Sequence, residues 1–261
     1  MKKPSRLSYA YAVGRVRALE KGLIERAVFK EASEEKDLAC VLKVIFDAGN
    51  FTDELVQIKD TDELDEFIEK EEEDIKRLMD KILLEEDLLR IFELEDDPEE
   101  AMSAIERSGY SFIHDYVRHK LDLSNLKILF RAKYSDLSRD RFESLILQRG
   151  FLDQKWMLEC FDLSFAEIGE KLKVTPYKEL WASAADVLEE RETFLELERG
   201  IEDFLMNFLK KAKHIVFGPE PVLAYGLAKK RELRLVRLLG VGKVNQIPVD
   251  LLKERISETY V

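Results

Sequence analysis

Cysteine occurs only twice, at Cys40 and Cys160, each inside an apolar run (LACVLKVIF and WMLECF). No C-x-x-C spacing is present, so both read as buried free thiols in a reducing compartment, and no disulfide framework is available. Histidine occurs three times. His114 and His119 fall about 140° apart on a helix, too far round to share a metal, and His214 stands alone. There is no H-E-x-x-H and no G-x-S-x-G, so neither a zinc protease nor a hydrolase elbow is expected. Long apolar runs are missing too. The most apolar stretch, Leu38 to Phe46, is interrupted by Lys43 and falls well short of the roughly 20 residues of a bilayer span. The first residues, MKKPSRLSYAYAVGRVR, hold no continuous apolar core of a secretory signal, and the expectation is a soluble cytoplasmic protein. Asn and Gln are scarce beside Glu, Lys and Arg, a bias associated with heat-adapted proteins.

What the chain does hold is charge and aliphatic surface. Charged residues make up 37% and apolar ones 46% of its 261 residues, with a formal net charge of -12. That length buries a substantial core, and the acidic mean field repels phosphate backbones, so nucleic acid is not an expected partner. With so many carboxylates, any two can be named as an acid/base couple, and the pairing carries no weight. Gly240-Val241-Gly242-Lys243 resembles part of a phosphate loop, yet Arg237 stands where glycine is required and Val244 where Ser or Thr is required. It reads instead as a helix end, with glycine as the left-handed cap and Lys243 beside the negative dipole terminus. No cofactor and no metal are expected.

Apolar residues recur at three and four in Val13, Val16, Leu19, Leu23 and in Leu38, Val41, Leu42, Ile45, Phe46, while no segment alternates in strand fashion over any length. The reading is all-α, built of helical repeats packed as bundles. Helix starts are signalled by Asp97-Pro98-Glu99-Glu100, by Thr175-Pro176, by the capping box of Ser164 with Glu167, and by Gly218-Pro219-Glu220-Pro221 before a helix at Val222. A short strand at His214 to Phe217 is the one non-helical alternative. Leu64, Ile68, Ile75, Leu78, Ile82, Leu89 and Phe92 give the acidic stretch Asp60 to Glu100 a coiled-coil-like seam. It reads either as an amphipathic helix with a solvated acidic face or as a long arm meeting a basic partner; a second such helix is expected from Val187 to Leu209.

The segment Asp122 to Ile146 echoes Glu232 to Ile256, aligning Leu123 with Leu233, Leu129 with Leu239, Lys133 with Lys243, Asp140 with Asp250 and Ile146 with Ile256. A helical unit recurring after about 110 residues suggests an architectural device, since stacked copies bury each other's apolar faces. The echo divides the chain into repeat regions 1–121 and 122–261, elongated or part of a funnel. Shared Leu and Lys composition is the competing explanation.

Four elements resemble a known family. Tyr11 with Arg15-Val16-Arg17-Ala18-Leu19-Glu20 is similar to the opening element of the C subunit, also called the d subunit, of archaeal and bacterial A/V-type ATPases. Asp122-Leu123-Ser124-Asn125-Leu126-Lys127 with Arg131 and Lys133 resembles its D-x-x-N-L-K element. Phe151 with Thr175-Pro176-Tyr177 resembles the linker that follows, and Gly218-Pro219-Glu220-Pro221, Tyr225, Glu232 and Arg237 resemble the closing element. Leu235 departs from the asparagine usual there. The resemblance also implies a shortened, two-repeat version where longer members have three.

What the resemblance implies is a non-catalytic coupling piece of the central rotor. Such a piece sits at the cytoplasmic face between the D and F subunits of the central shaft and the membrane proteolipid ring, and passes torque during ion transport or ATP synthesis. Candidate partner contacts are then Arg15, Arg17, Asn125, Arg131, Lys133, Glu232 and Arg237, since planar polar forks anchor interfaces. The same residues equally suit bracing of neighbouring helices. A stand-alone helical interaction or regulatory scaffold is the alternative function.

Overall fold

A computed structural model describes residues 4–94 and 97–261. Among these residues every regular element is helical. In chain order the α-helices are α1 (Ala10–Leu19), α2 (Arg26–Glu34), α3 (Leu38–Ala48), α4 (Thr61–Ile82), α5 (Glu86–Glu93), α6 (Pro98–Ile105) and α7 (Ser111–Tyr134). There follow α8 (Arg139–Glu143), α9 (Gln154–Phe161), α10 (Phe165–Lys171), α11 (Lys178–Arg191), α12 (Leu195–Lys210), α13 (Glu220–Val244) and α14 (Val249–Arg255), with short 3-10 turns between some of them. The all-α reading holds.

The chain forms two compact units. One comprises the described residues of Met1–Glu93 together with Met206–Val261, and the other those of Leu94–Leu205. The division at Leu205 falls within α12, whereas the boundary suggested by the sequence echo falls within α7.

In the first unit α13 is the axis, packed by α1, α2, α3, α4 and α5. Every residue from Glu220 to Lys229 is buried, the pattern of a helix enclosed by others, and only further along do Arg234 and Arg237 reach the surface. Glycine lets those neighbours approach: a Cβ on Gly240 would lie 2.4 Å from Leu64, and one on Gly242 2.4 Å from Leu252. These two glycines therefore do not form a left-handed cap as expected. They lie inside α13, which runs on to Val244, and Gln246 takes the left-handed conformation instead (φ 54°).

In the second unit the core gathers Leu126, Phe130, Phe142, Met157 and Trp181. Trp181 is wholly buried, and its indole nitrogen donates to the Phe165 carbonyl at 2.8 Å, so the polar atom is not left unpaired. Cys160 is buried here, and burial pushes its thiol up to about 11; Cys40 is half-buried.

Helix starts follow local chemistry. The Asp97 carboxylate accepts from Glu100 N at 3.0 Å with Pro98 in the first turn, and Ser164 and Glu167 form the expected reciprocal box. Thr175-Pro176 does not open a helix; Thr175 Oγ1 instead accepts from Tyr177 N at 3.3 Å, and α11 starts at Lys178. Neither expected long arm is continuous. The first is split into α4 and α5 by Leu83, Leu84 and Glu85, and its remainder at Glu95 and Asp96 lies outside the described residues. Leu64, Ile68, Ile75, Ile82 and Phe92 of its seam are buried, but Met79 and Leu88 fill the core where Leu78 and Leu89 were expected. The second is split between α11 and α12 because Glu192 turns left-handed (φ 53°), and Thr193 Oγ1 accepts from Leu195 N at 3.3 Å. Residues His214 to Phe217 form no strand.

Candidate interaction elements and their buried acids

The echo found in sequence reappears as local geometry. The last turn of α7 and that of α13 close alike: Leu137 N donates to Ala132 O and Ile247 N to Gly242 O, both at 2.9 Å. The left-handed residue falls at matching places, Asp136 (φ 49°) and Gln246 (φ 54°), and α8 and α14 then begin at matching residues, Arg139 and Val249. Both ends have the form in which many helices close, a left-handed residue followed by a bond back across the last turn.

The first residue of each echoed segment is a buried acid. The Asp122 carboxylate accepts from Leu152 N (2.9 Å), from Phe151 N (3.1 Å) and from Tyr177 Oη (2.7 Å). Gly150 comes so close that a Cβ there would meet Asp122 Oδ1 at 2.1 Å, which is why the loop has glycine at that position. Having donated to Asp122, Tyr177 Oη accepts from His119 Nδ1 at 2.7 Å. In the first unit Glu232 stands at the corresponding place, accepting from Ile24 N at 2.7 Å and from the ammonium of Lys229. Each acid thus pins the backbone of a short loop, Gly150-Phe151-Leu152-Asp153 or Gly22-Leu23-Ile24-Glu25, that leads directly into a helix, α9 or α2. Burial pushes both carboxyls above their ordinary values; Leu152 N–H, Tyr177 and Phe151 N–H oppose this for Asp122, and Lys229 and Ile24 N–H for Glu232.

The residues proposed from sequence divide between surface and interior. Asn125 is fully buried and holds both backbone groups of Leu147, donating to its carbonyl and accepting from its N–H at 2.8 Å each. Leu235 occupies the corresponding place in α13 without an amide, and there Ser257, the counterpart of Leu147, is held by Arg231 through its hydroxyl at 2.8 Å. Arg17 pairs with Glu20 at 2.8 Å and donates to the carbonyls of Ala212 and Lys213 at 3.1 and 2.8 Å. Lys133 donates to Phe161 O at 2.9 Å. Arg131 is exposed and reaches Glu198 at 2.5 Å, and exposed Arg237 makes a two-pronged pair with Asp65 at 2.8 and 3.0 Å. Arg15 is exposed, one turn after Tyr11, which is 77% exposed.

Asp122 and Tyr177 were named from sequence only as positions of the family resemblance, not as candidate contacts, and Lys229 was not singled out at all. The available signal was a charged group inside an otherwise apolar stripe, opposite a glycine-led loop. Among the described residues no group of histidine, cysteine or carboxylate side chains is placed to hold a metal ion, and no helix is long and apolar enough to cross a membrane.

The family model described as ATP synthase (C/AC39) subunit matches residues 98–255, more than half of the chain. The V-type sodium ATPase C subunit of Enterococcus hirae is 29% identical over 155 residues, 59% of this chain and 47% of that protein. The A-type ATP synthase C subunit of Methanococcoides burtonii is 24% identical over 144 residues, 54% of this chain and 40% of its own length. That of Thermococcus onnurineus is 29% identical over 150 residues, 56% of this chain and 39% of its own. The chain spans less than half the length of each of these relatives. With α7 to α9 and α13 to α14 inside the matched range, carrying the Asp122 and Glu232 braces, the chain belongs to the family of the C subunits of A- and V-type ATPases.

Proposed function

We propose that the chain is a non-catalytic coupling subunit of the central rotor, joining the D and F subunits of the shaft to the proteolipid ring at the cytoplasmic face and transmitting torque without chemistry of its own. The family match over residues 98–255 is the observation that carries this reading. A torque-bearing part needs stiffness, and interlocked helices whose loops are pinned by buried acids resist deformation. Repeat regions 1–121 and 122–261 are, in this reading, the units of duplication. Of the polar residues named from sequence, Arg15, Arg131 and Arg237 carry the exposure that partner contact demands. Arg17, Asn125, Lys133 and Glu232 act through the shape they brace.

The test is a pull-down of the tagged chain from detergent-solubilised membranes, read for ATPase subunits. Recovery of D, F or the ring is expected, with Arg15→Glu lowering the yield at least several-fold while leaving the helical circular dichroism unchanged. Recovery of no ATPase subunit would sink the rotor reading. A second reading is a stand-alone helical scaffold or regulator, which predicts partners outside the ATPase.

A further inference from the structure

A groove of about 730 Å³ opens on the second unit between α10, α11 and the last turn of α7. Its floor is apolar, formed by Phe165, Trp181 and Leu188. Small side chains stand on both walls, Gly169 on α10 and Ala182 and Ala185 on α11. Its rim is acidic on one side. Asp186 and Glu189 follow one another along one face of α11 and Glu192 stands just past its end, while across from them Glu170 is already paired with Lys173, and the one cation of the lining, Lys178, with Glu179. Among the described residues the carboxylates of Asp186, Glu189 and Glu192 make no hydrogen bond or ion pair. Glu192 keeps its carboxylate at the mouth from a left-handed backbone (φ 53°), where glycine or asparagine would sit at lower cost.

From this arrangement we infer that the groove receives an amphipathic helix of a partner protein, small or apolar on the face that enters and bearing Lys or Arg on the flank that meets α11. The occupant is helical because the main walls are themselves helices, whose backbone groups are mostly bonded internally. An extended segment would bring its N–H and C=O groups against apolar walls with nothing to pair them, whereas a helix satisfies its own. Small wall residues let its backbone approach closely, and the unmatched acids select its charge. This inference does not depend on the rotor reading and stands if the pull-down above recovers no ATPase subunit.

The test uses the full chain carrying Trp156→Phe, which leaves Trp181 at the groove floor as the only tryptophan. The probes are a designed helical peptide with Ala and Leu on one face and Lys along one flank, the same peptide with Glu for Lys, and a scrambled Lys peptide of identical charge. Trp181 emission and calorimetry should both report saturable binding of the first, at least tenfold tighter than either control and weakening as salt is raised. Ala182→Phe, an exposed position that fills the groove, and the pair Asp186→Lys with Glu189→Lys should each weaken it at least tenfold at unchanged thermal midpoint. No binding, equal binding of the scrambled peptide, or indifference to Ala182→Phe overturns the proposal. So does a dimer of the chain itself that Ala182→Phe dissolves, because the occupant would then be a second copy. If a variant proves unstable, the three-peptide comparison on the parent chain decides.

Discussion

Lys229 lies in the interior at 6% exposure, its ammonium 3.8 Å above the centre of the Phe51 ring and paired with Glu232, itself 3% exposed. Neither charge reaches water, so each depends on the other, and removing one leaves an uncompensated buried ion. Lys229→Met is therefore expected to destabilise the first unit by about 3 kcal/mol. The pH dependence has a definite sign. Burial already raises the Glu232 carboxyl above its ordinary 4.5, and loss of Lys229 removes the main opposing influence. In the window between the ordinary and the raised value, the folded chain keeps a proton that the unfolded chain has released, so stability falls as pH rises. The urea midpoint of Lys229→Met should fall more steeply than that of the parent as pH rises above 4.5; parallel profiles would show that the pair is not coupled. Such pairs are hard to read from sequence. Glu232 was legible through the family resemblance, but Lys229 looks like any surface lysine until its helix is seen to be enclosed, and Asp122 and Tyr177 become a pair only when α7 meets the loop before α11.

At the scale of elements, the sequence was most informative where one residue settles a local hydrogen bond. The capping box at Ser164 and the start at Asp97 lie where their side chains require. It was least informative where packing competes with periodicity. The acidic stretch reads as one seam interrupted at Glu71 and Glu85, and at the second interruption the helix stops, because burying Leu83 and Leu88 needs a change of direction that a straight helix cannot make. The same holds for the α13 glycines, read as an end signal and found to be a packing device. Leu64 sits where a Cβ on Gly240 would be. Gly240→Ala gains about 1 kcal/mol of helix propensity and loses more to overpacking, and Leu64→Ala alone costs about 2–5 kcal/mol in cavity. The double variant should cost less than the sum, because the new methyl enters the space that Leu64 vacates. Strict additivity in a denaturant-unfolding cycle would show that Gly240 is not there to admit Leu64.

For the molecule as a whole, the helical class was legible from periodicity, but not the way the chain is shared between units. A continuous stretch builds the second unit, and a hydrophobic cluster running from Leu123 to Leu197 lies within it. Residues 97–210 expressed alone, keeping α12 whole, should show cooperative thermal unfolding and near-ultraviolet signals from Trp181. Residues 1–93 alone should remain a loosely ordered helical state, because the axis they pack on is absent. A cooperative transition in the second fragment would refute the dependence on α13. That dependence also gives the protein an order of assembly. During synthesis, α1 to α5 emerge first with their apolar faces bare, and α13 follows only after roughly ten seconds of further elongation at typical ribosomal rates. For that interval the first third of the chain is the natural client of a chaperone, while the inserted unit can complete itself as it leaves the ribosome.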